Sequence, residues 1–123
     1  MSVRIELTDN FIRQAKLLLK KYKSLPQDLN QLQKDLLHNP RLGISLGNGA
    51  FKIRLRIKSK GKGKSGGARV ISFMSNNIIS ITNQEKSGPV IVYLLSIYDK
   101  SETETISNKE LHELINLVQK LHN

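Results

Sequence analysis

Between Phe51 and Lys58 apolar and cationic residues alternate without a break: Phe51, Ile53, Leu55 and Ile57 against Lys52, Arg54, Arg56 and Lys58. Side chains along a β-strand point to opposite faces in turn, so this period of two sends the apolar set into a core and lines the cations along the other face. A helix would scatter the same cations around its axis. The segment therefore requires a sheet with cover on one side, and the rest of the chain must supply that cover.

The flanking sequence contains suitable elements. Val3, Ile5 and Leu7 alternate with polar neighbours as a short strand. Thr8 or Asp9 can cap a helix that places Phe11, Ala15, Leu18 and Tyr22 on one stripe. Ser24 and Pro26 open a second helix, with Leu25, Leu29, Leu32 and Leu36 at helical spacing and Asn39–Pro40 as its stop. The short junction predicts a helical hairpin. After the glycines at 43, 47 and 49 comes the alternating strand, expected to run from Phe51 to Lys58. A glycine and lysine loop over Ser59 to Gly67, a strand from Ala68 to Met74, a short strand from Ile78 to Thr82 and polar turn material from Gln84 to Pro89 follow. Val90 to Tyr98 is apolar on both faces, as a central strand is, and Ser107 with Glu110 forms a capping-box pattern before Leu111, Leu114, Ile115, Val118 and Leu121. The expected fold is α+β: one domain over 1–123, with a twisted, mainly antiparallel sheet, an N-terminal helical hairpin and a C-terminal helix.

The chain has 123 residues and no cysteine, so packing rather than disulfides must stabilise it, which fits a reducing, cytoplasmic setting. Its longest apolar run, Val90 to Leu95, is too short to cross a bilayer, and no membrane association is expected. Lysine and arginine number 20 against 10 acidic residues, a formal charge of +10. No acidic residue lies between Asp35 and Glu85, whereas Arg41, Lys52, Arg54, Arg56, Lys58, Lys60, Lys62, Lys64 and Arg69 all do. Neighbouring like charges on one sheet face repel by roughly a few tenths of a kcal/mol per pair. A polyanion such as a phosphate chain relieves that cost.

Other chemistries find less support. A phosphate-binding P-loop ending at Gly63, Lys64 and Ser65 would need glycine where Lys58 stands, and a dinucleotide fingerprint begun at Gly47 and Gly49 would need one at Lys52. His38, His112 and His122 are dispersed, without a carboxylate cluster, so no metal or other cofactor is expected. Cutting RNA through its 2′-hydroxyl needs a proton acceptor, charge stabilisation at phosphorus and a proton donor to the leaving oxygen. Arginines serve the second need. A crowded lysine or Tyr98 could serve in proton transfer, and Tyr98 could equally be an ordinary strand-end aromatic.

The run FKIRLRIKSKGKGKSGGAR over Phe51 to Arg69, taken with VYLLSIYDKSE over Val92 to Glu102, resembles the RelE/HigB toxins of bacterial toxin-antitoxin systems. The resemblance extends to the order of elements over nearly the whole chain. It implies a metal-independent endoribonuclease that cuts mRNA in the ribosomal A site and is held in check by a cognate acidic antitoxin. It implies catalytic roles for Arg54, Arg56, Arg69, Tyr98 and Lys100, and RNA or ribosome contact for Lys52, Lys58, Lys60, Lys62 and Lys64. The segment Asn77 to Pro89 departs from the pattern as an added hairpin or loop without an assigned role. Two other functions fit parts of the sequence: a ParE-like gyrase inhibitor, which would not need the basic strand face, and a noncatalytic RNA-binding module, which the charge pattern alone would serve.

Overall fold

The computed structural model describes residues 2–60, 67–76, 89–101 and 105–121. The short strand expected at Ile78 to Thr82, and Lys62 and Lys64, lie outside them. The fold is α+β, and the described residues form three helices and a five-stranded mixed sheet. In chain order the elements are β1 (Val3–Leu7), α1 (Asp9–Lys21), α2 (Leu25–His38), β2 (Ile44–Gly47), β3 (Ala50–Leu55), a 3-10 turn (Lys58–Lys60), β4 (Ala68–Asn76), β5 (Val90–Asp99) and α3 (Asn108–Leu121). The sheet runs β1-β5-β4-β3-β2; β1 lies parallel to β5 and the other pairings are antiparallel.

Both faces of the sheet are covered. On one, Phe11, Ala15 and Leu18 of α1 and Leu25, Leu32 and Leu36 of α2 pack on Ile53, Leu55, Val70, Val92, Leu94 and Ile97. On the other, Leu111, Ile115 and Val118 of α3 pack on Ala50, Ile71, Phe73, Tyr93 and Leu95. Strand β5 lies between the two layers, which explains its lack of polar alternation.

The helix ends form largely through the expected residues. Thr8 Oγ1 accepts the Phe11 N–H at 3.2 Å and donates to Leu94 O at 2.9 Å, so one side chain caps α1 and fastens it to β5. Ser107 Oγ accepts the Glu110 N–H at the start of α3. Ser24 makes no such cap. Instead Ser24 and Ser59 each accept the other's backbone N–H, at 2.8 and 3.1 Å, which fixes the 3-10 turn beside the start of α2.

Two expectations are corrected. The basic strand ends at Leu55 rather than Lys58, because its partner β4 begins at Ala68, opposite Leu55, and no strand among the described residues remains for Arg56 to Lys58 to pair with. Gly67, just before β4, has φ +89° and sits so near Leu55 O that an added Cβ would collide with it. The glycine-rich stretch also contains the short exposed edge strand β2.

Strand β1 ends opposite Leu94, and among the described residues the far end of β5 has no strand partner on that side. Helix α1 supplies substitutes. Asn10 Nδ2 donates to Leu95 O at 2.8 Å, and Gln14 Oε1 accepts the Ile97 N–H at 3.0 Å and the Ser96 hydroxyl at 2.9 Å. Gln14→Ala leaves both donors unmet and is expected to lower unfolding stability by about 1–3 kcal/mol in a denaturant titration.

Candidate nucleic-acid interface

Strand register places three residues of the sequence-derived set in one row. Arg54 on β3 stands opposite Arg69 on β4, and Arg69 stands opposite Tyr98 on β5. Lys52 lies two residues from Arg54 on the same face, opposite Ile71. Tyr98 reaches this face through a β-bulge where the β4–β5 register shifts between Ile71 and Ser72. Before the bulge Val92 and Leu94 face α1 and α2; after it Ile97 does. Regular alternation from Leu94 would have turned Tyr98 toward those helices, away from Arg69.

The two arginines differ in setting. Arg54 is exposed. Arg69 is only 8% exposed, and among the described residues its guanidinium donates one hydrogen bond, from Nη1 to Ala68 O at 3.2 Å. No carboxylate among the described residues pairs with it. A guanidinium has five donors in a planar fork suited to phosphate oxygens, so Arg69 is a charged group short of acceptors. The adjacent positive charge of Arg54 increases the gain from binding an anion here.

Tyr98 is half-buried, and its Oη is inaccessible to solvent with no hydrogen-bond partner of ordinary geometry among the described residues. Burial raises its pKa; the Thr105 side chain, the Arg69 charge and the Ile106 backbone partly offset this, while Glu110 adds to the rise. Its hydroxyl thus holds its proton at neutral pH.

The other predicted residues are distributed more widely. Arg56 is exposed just past the end of β3, and Lys58 is exposed on the 3-10 turn, so neither belongs to the strand row. Lys100 is half-buried beyond β5 and donates its backbone N–H to Gly67 O at 3.2 Å. Lys60 is engaged internally. Its Nζ lies 3.1 Å from Asp99 Oδ1, with only 16% of the side chain exposed, and sits 5.3 Å from the centre of the Tyr22 ring.

Asp99, given no role from the sequence, is the anchor of this cluster. Its side chain is fully buried and accepts from Tyr22 Oη at 2.7 Å, Ser101 N at 3.0 Å, Ser101 Oγ at 2.8 Å and Lys60. Burial opposes ionisation, but the hydrogen bonds from Tyr22, from the Ser101 backbone and hydroxyl and from Lys60 outweigh it and hold the carboxyl well below the usual range. The sequence signal was a single acid closing an apolar strand. Among the described residues no three metal-ligating side chains come together.

The chain matches no protein-family model and no curated protein.

Two measurements test this assignment of charges. Because the folded-state pKa of Asp99 is depressed, its contribution to stability is complete well above 3.8 and is lost as pH falls through the acid range. Asp99→Asn is expected to cost about 3 kcal/mol at pH 7, with the gap to wild type narrowing below pH 4 in acid titrations of unfolding. Tyr98→Phe removes a buried hydroxyl without a good partner, so its chemical-denaturation midpoint should equal or exceed that of wild type.

Proposed function

We propose that the chain is a RelE/HigB-like toxin that grips mRNA through Lys52, Arg54 and Arg69 and cuts it in the ribosomal A site. The observation that carries this reading is the row formed by Arg54, Arg69 and Tyr98 across three adjacent strands, with Arg69 nearly buried and without a carboxylate partner among the described residues. Such a row suits a phosphate flanked by a base: the arginines stabilise charge developing on the phosphate oxygens, and the tyrosine ring offers a stacking surface. On this reading the RelE-like arrangement of helices around the sheet is the scaffold, the cytoplasm is the working compartment, and an acidic antitoxin is the natural inhibitor. The ribosome positions the message, which removes the need for a deep substrate cleft.

A noncatalytic RNA-binding module is the second reading, favoured by one observation. The Tyr98 hydroxyl is covered and cannot exchange a proton with substrate in this conformation.

In a translating extract the wild-type protein should cleave mRNA while leaving ribosome-free RNA intact. Arg54→Ala and Arg69→Ala should each reduce the cleavage rate by about 10²-fold, the usual scale for losing one oxyanion-stabilising donor. Primer extension on ribosome-bound message provides the measurement. Equal cleavage of naked RNA would remove the ribosome from the mechanism, whereas tight RNA binding without cut ends under any condition would favour the binding module.

A further inference from the structure

Strand β1 closes one edge of the sheet and has no strand on its outer side among the described residues. Its inward hydrogen bonds fix which groups face outward. Val90 N–H donates to Ser2 O, and Thr8 N–H donates to Leu94 O. Successive residues of a strand direct their backbone groups to opposite sides, so Arg4 and Glu6 also turn theirs toward β5. Val3, Ile5 and Leu7 direct their N–H and C=O groups away from it.

Apolar surface flanks this open edge on both faces. On the α1 and α2 side is a groove of about 490 Å³ lined by Ile5, Leu7, Phe11, Leu19, Leu29 and Leu94, among others. On the α3 side a second, of about 250 Å³, includes Leu7, Tyr93, Leu95, Leu114, Leu117 and Val118 in its lining. Leu7 is 52% exposed and Leu117 57% exposed. The edge carries no proline or bulge, and its two charges, Arg4 and Glu6, are of opposite sign, so they repel a partner strand only in a mismatched register.

The sequence of β1, Val-Arg-Ile-Glu-Leu, identifies an occupant. Arg4 and Glu6 share a face and lie 3.0 Å apart within one chain. In an antiparallel pair centred on Ile5, Ile5 meets Ile5 of a second copy, Val3 meets Leu7, and Arg4 meets Glu6 in both directions. This register joins the outward-facing residues 3, 5 and 7 as hydrogen-bonded pairs. It also puts Arg4 and Glu6 in the closer non-hydrogen-bonded positions, as a four-membered ring of alternating charge.

We propose that β1 is a self-complementary docking edge on which a second copy of this chain adds, joining the two sheets into one of ten strands around a two-fold axis at Ile5. An isologous contact of this kind closes on itself and stops at a dimer. The cationic strand β3 stands three strand positions away from β1. That is roughly 14 Å at the usual strand spacing, beyond a physiological screening length of about 8 Å.

Sedimentation equilibrium of the full chain at protein concentrations up to about 1 mM tests the association, with circular dichroism confirming that every variant is folded. Wild type is expected to dimerise. Arg4→Glu and Glu6→Arg each place like charges opposite one another twice and should weaken dimerisation by about ten-fold or more, while the double variant R4E/E6R restores it to near wild type. Amide hydrogen exchange of the wild type gives an independent reading: the Val3, Ile5 and Leu7 amides should gain protection with concentration, whereas Arg4 and Glu6 should be protected throughout. A chain monomeric across the whole range overturns the proposal, as does a dimer indifferent to the reversals or protected elsewhere. The assay involves no RNA, so its outcome is separate from that of the ribonuclease reading.

Discussion

The bulge in the pairing of β4 with β5 is the constraint on which the layout of this protein turns. Strand β5 has to bury side chains against two helices on one face and a third helix on the other, so each of its residues belongs to one layer by parity. A regular strand would retain Leu94's parity through Tyr98. The extra residue reverses it, keeping Ile97 in the larger core and delivering Tyr98 to the face of Arg54 and Arg69. The same stretch lacks β1 as a neighbour, and Asn10 and Gln14 of α1 take over its backbone bonding. Helix α1 is therefore part of what supports the site, although it contributes no residue to it.

A second constraint is how a strongly cationic chain divides its charges. Asp99 binds Lys60, with Lys21 3.8 Å away at a more exposed position, and Tyr22 provides a ring near both ammonium groups. These contacts fasten the end of β5 to α1 and to the turn after β3. Arg69, directly opposite Arg54 on one side and Tyr98 on the other, has no such counterion among the described residues. The contrast separates structural cations from available ones more sharply than composition can, since Lys60 and Arg69 have the same formal charge and opposite situations.

The local grammar of the sequence located most elements. Alternation marked β1 and β3, helical spacing marked all three helices, and Thr8 and Ser107 were readable as caps because their chemistry acts within four residues. What escaped depends on partners distant in sequence. The end of β3 at Leu55 follows from where β4 begins, the bulge follows from pairing between residues over twenty positions apart, and the Asp99 cluster combines side chains from three separate parts of the chain. Periodicity correctly put Ile57 in the core, yet it could not show that the ladder had already stopped. The row of Arg54, Arg69 and Tyr98 was half legible: the residue types stood out, but their alignment required the register.

That alignment also limits the chemistry available to Tyr98. A phenol whose pKa is raised by burial keeps its proton at neutral pH and so can donate one but not accept one. If it takes part in RNA cleavage, its role is to protonate the leaving 5′ oxygen or to stack, and removal of the 2′-hydroxyl proton falls to another group. Its Oη is buried, with Thr105 and Ile106 close by, so of the two roles stacking is the one open to Tyr98 in this conformation.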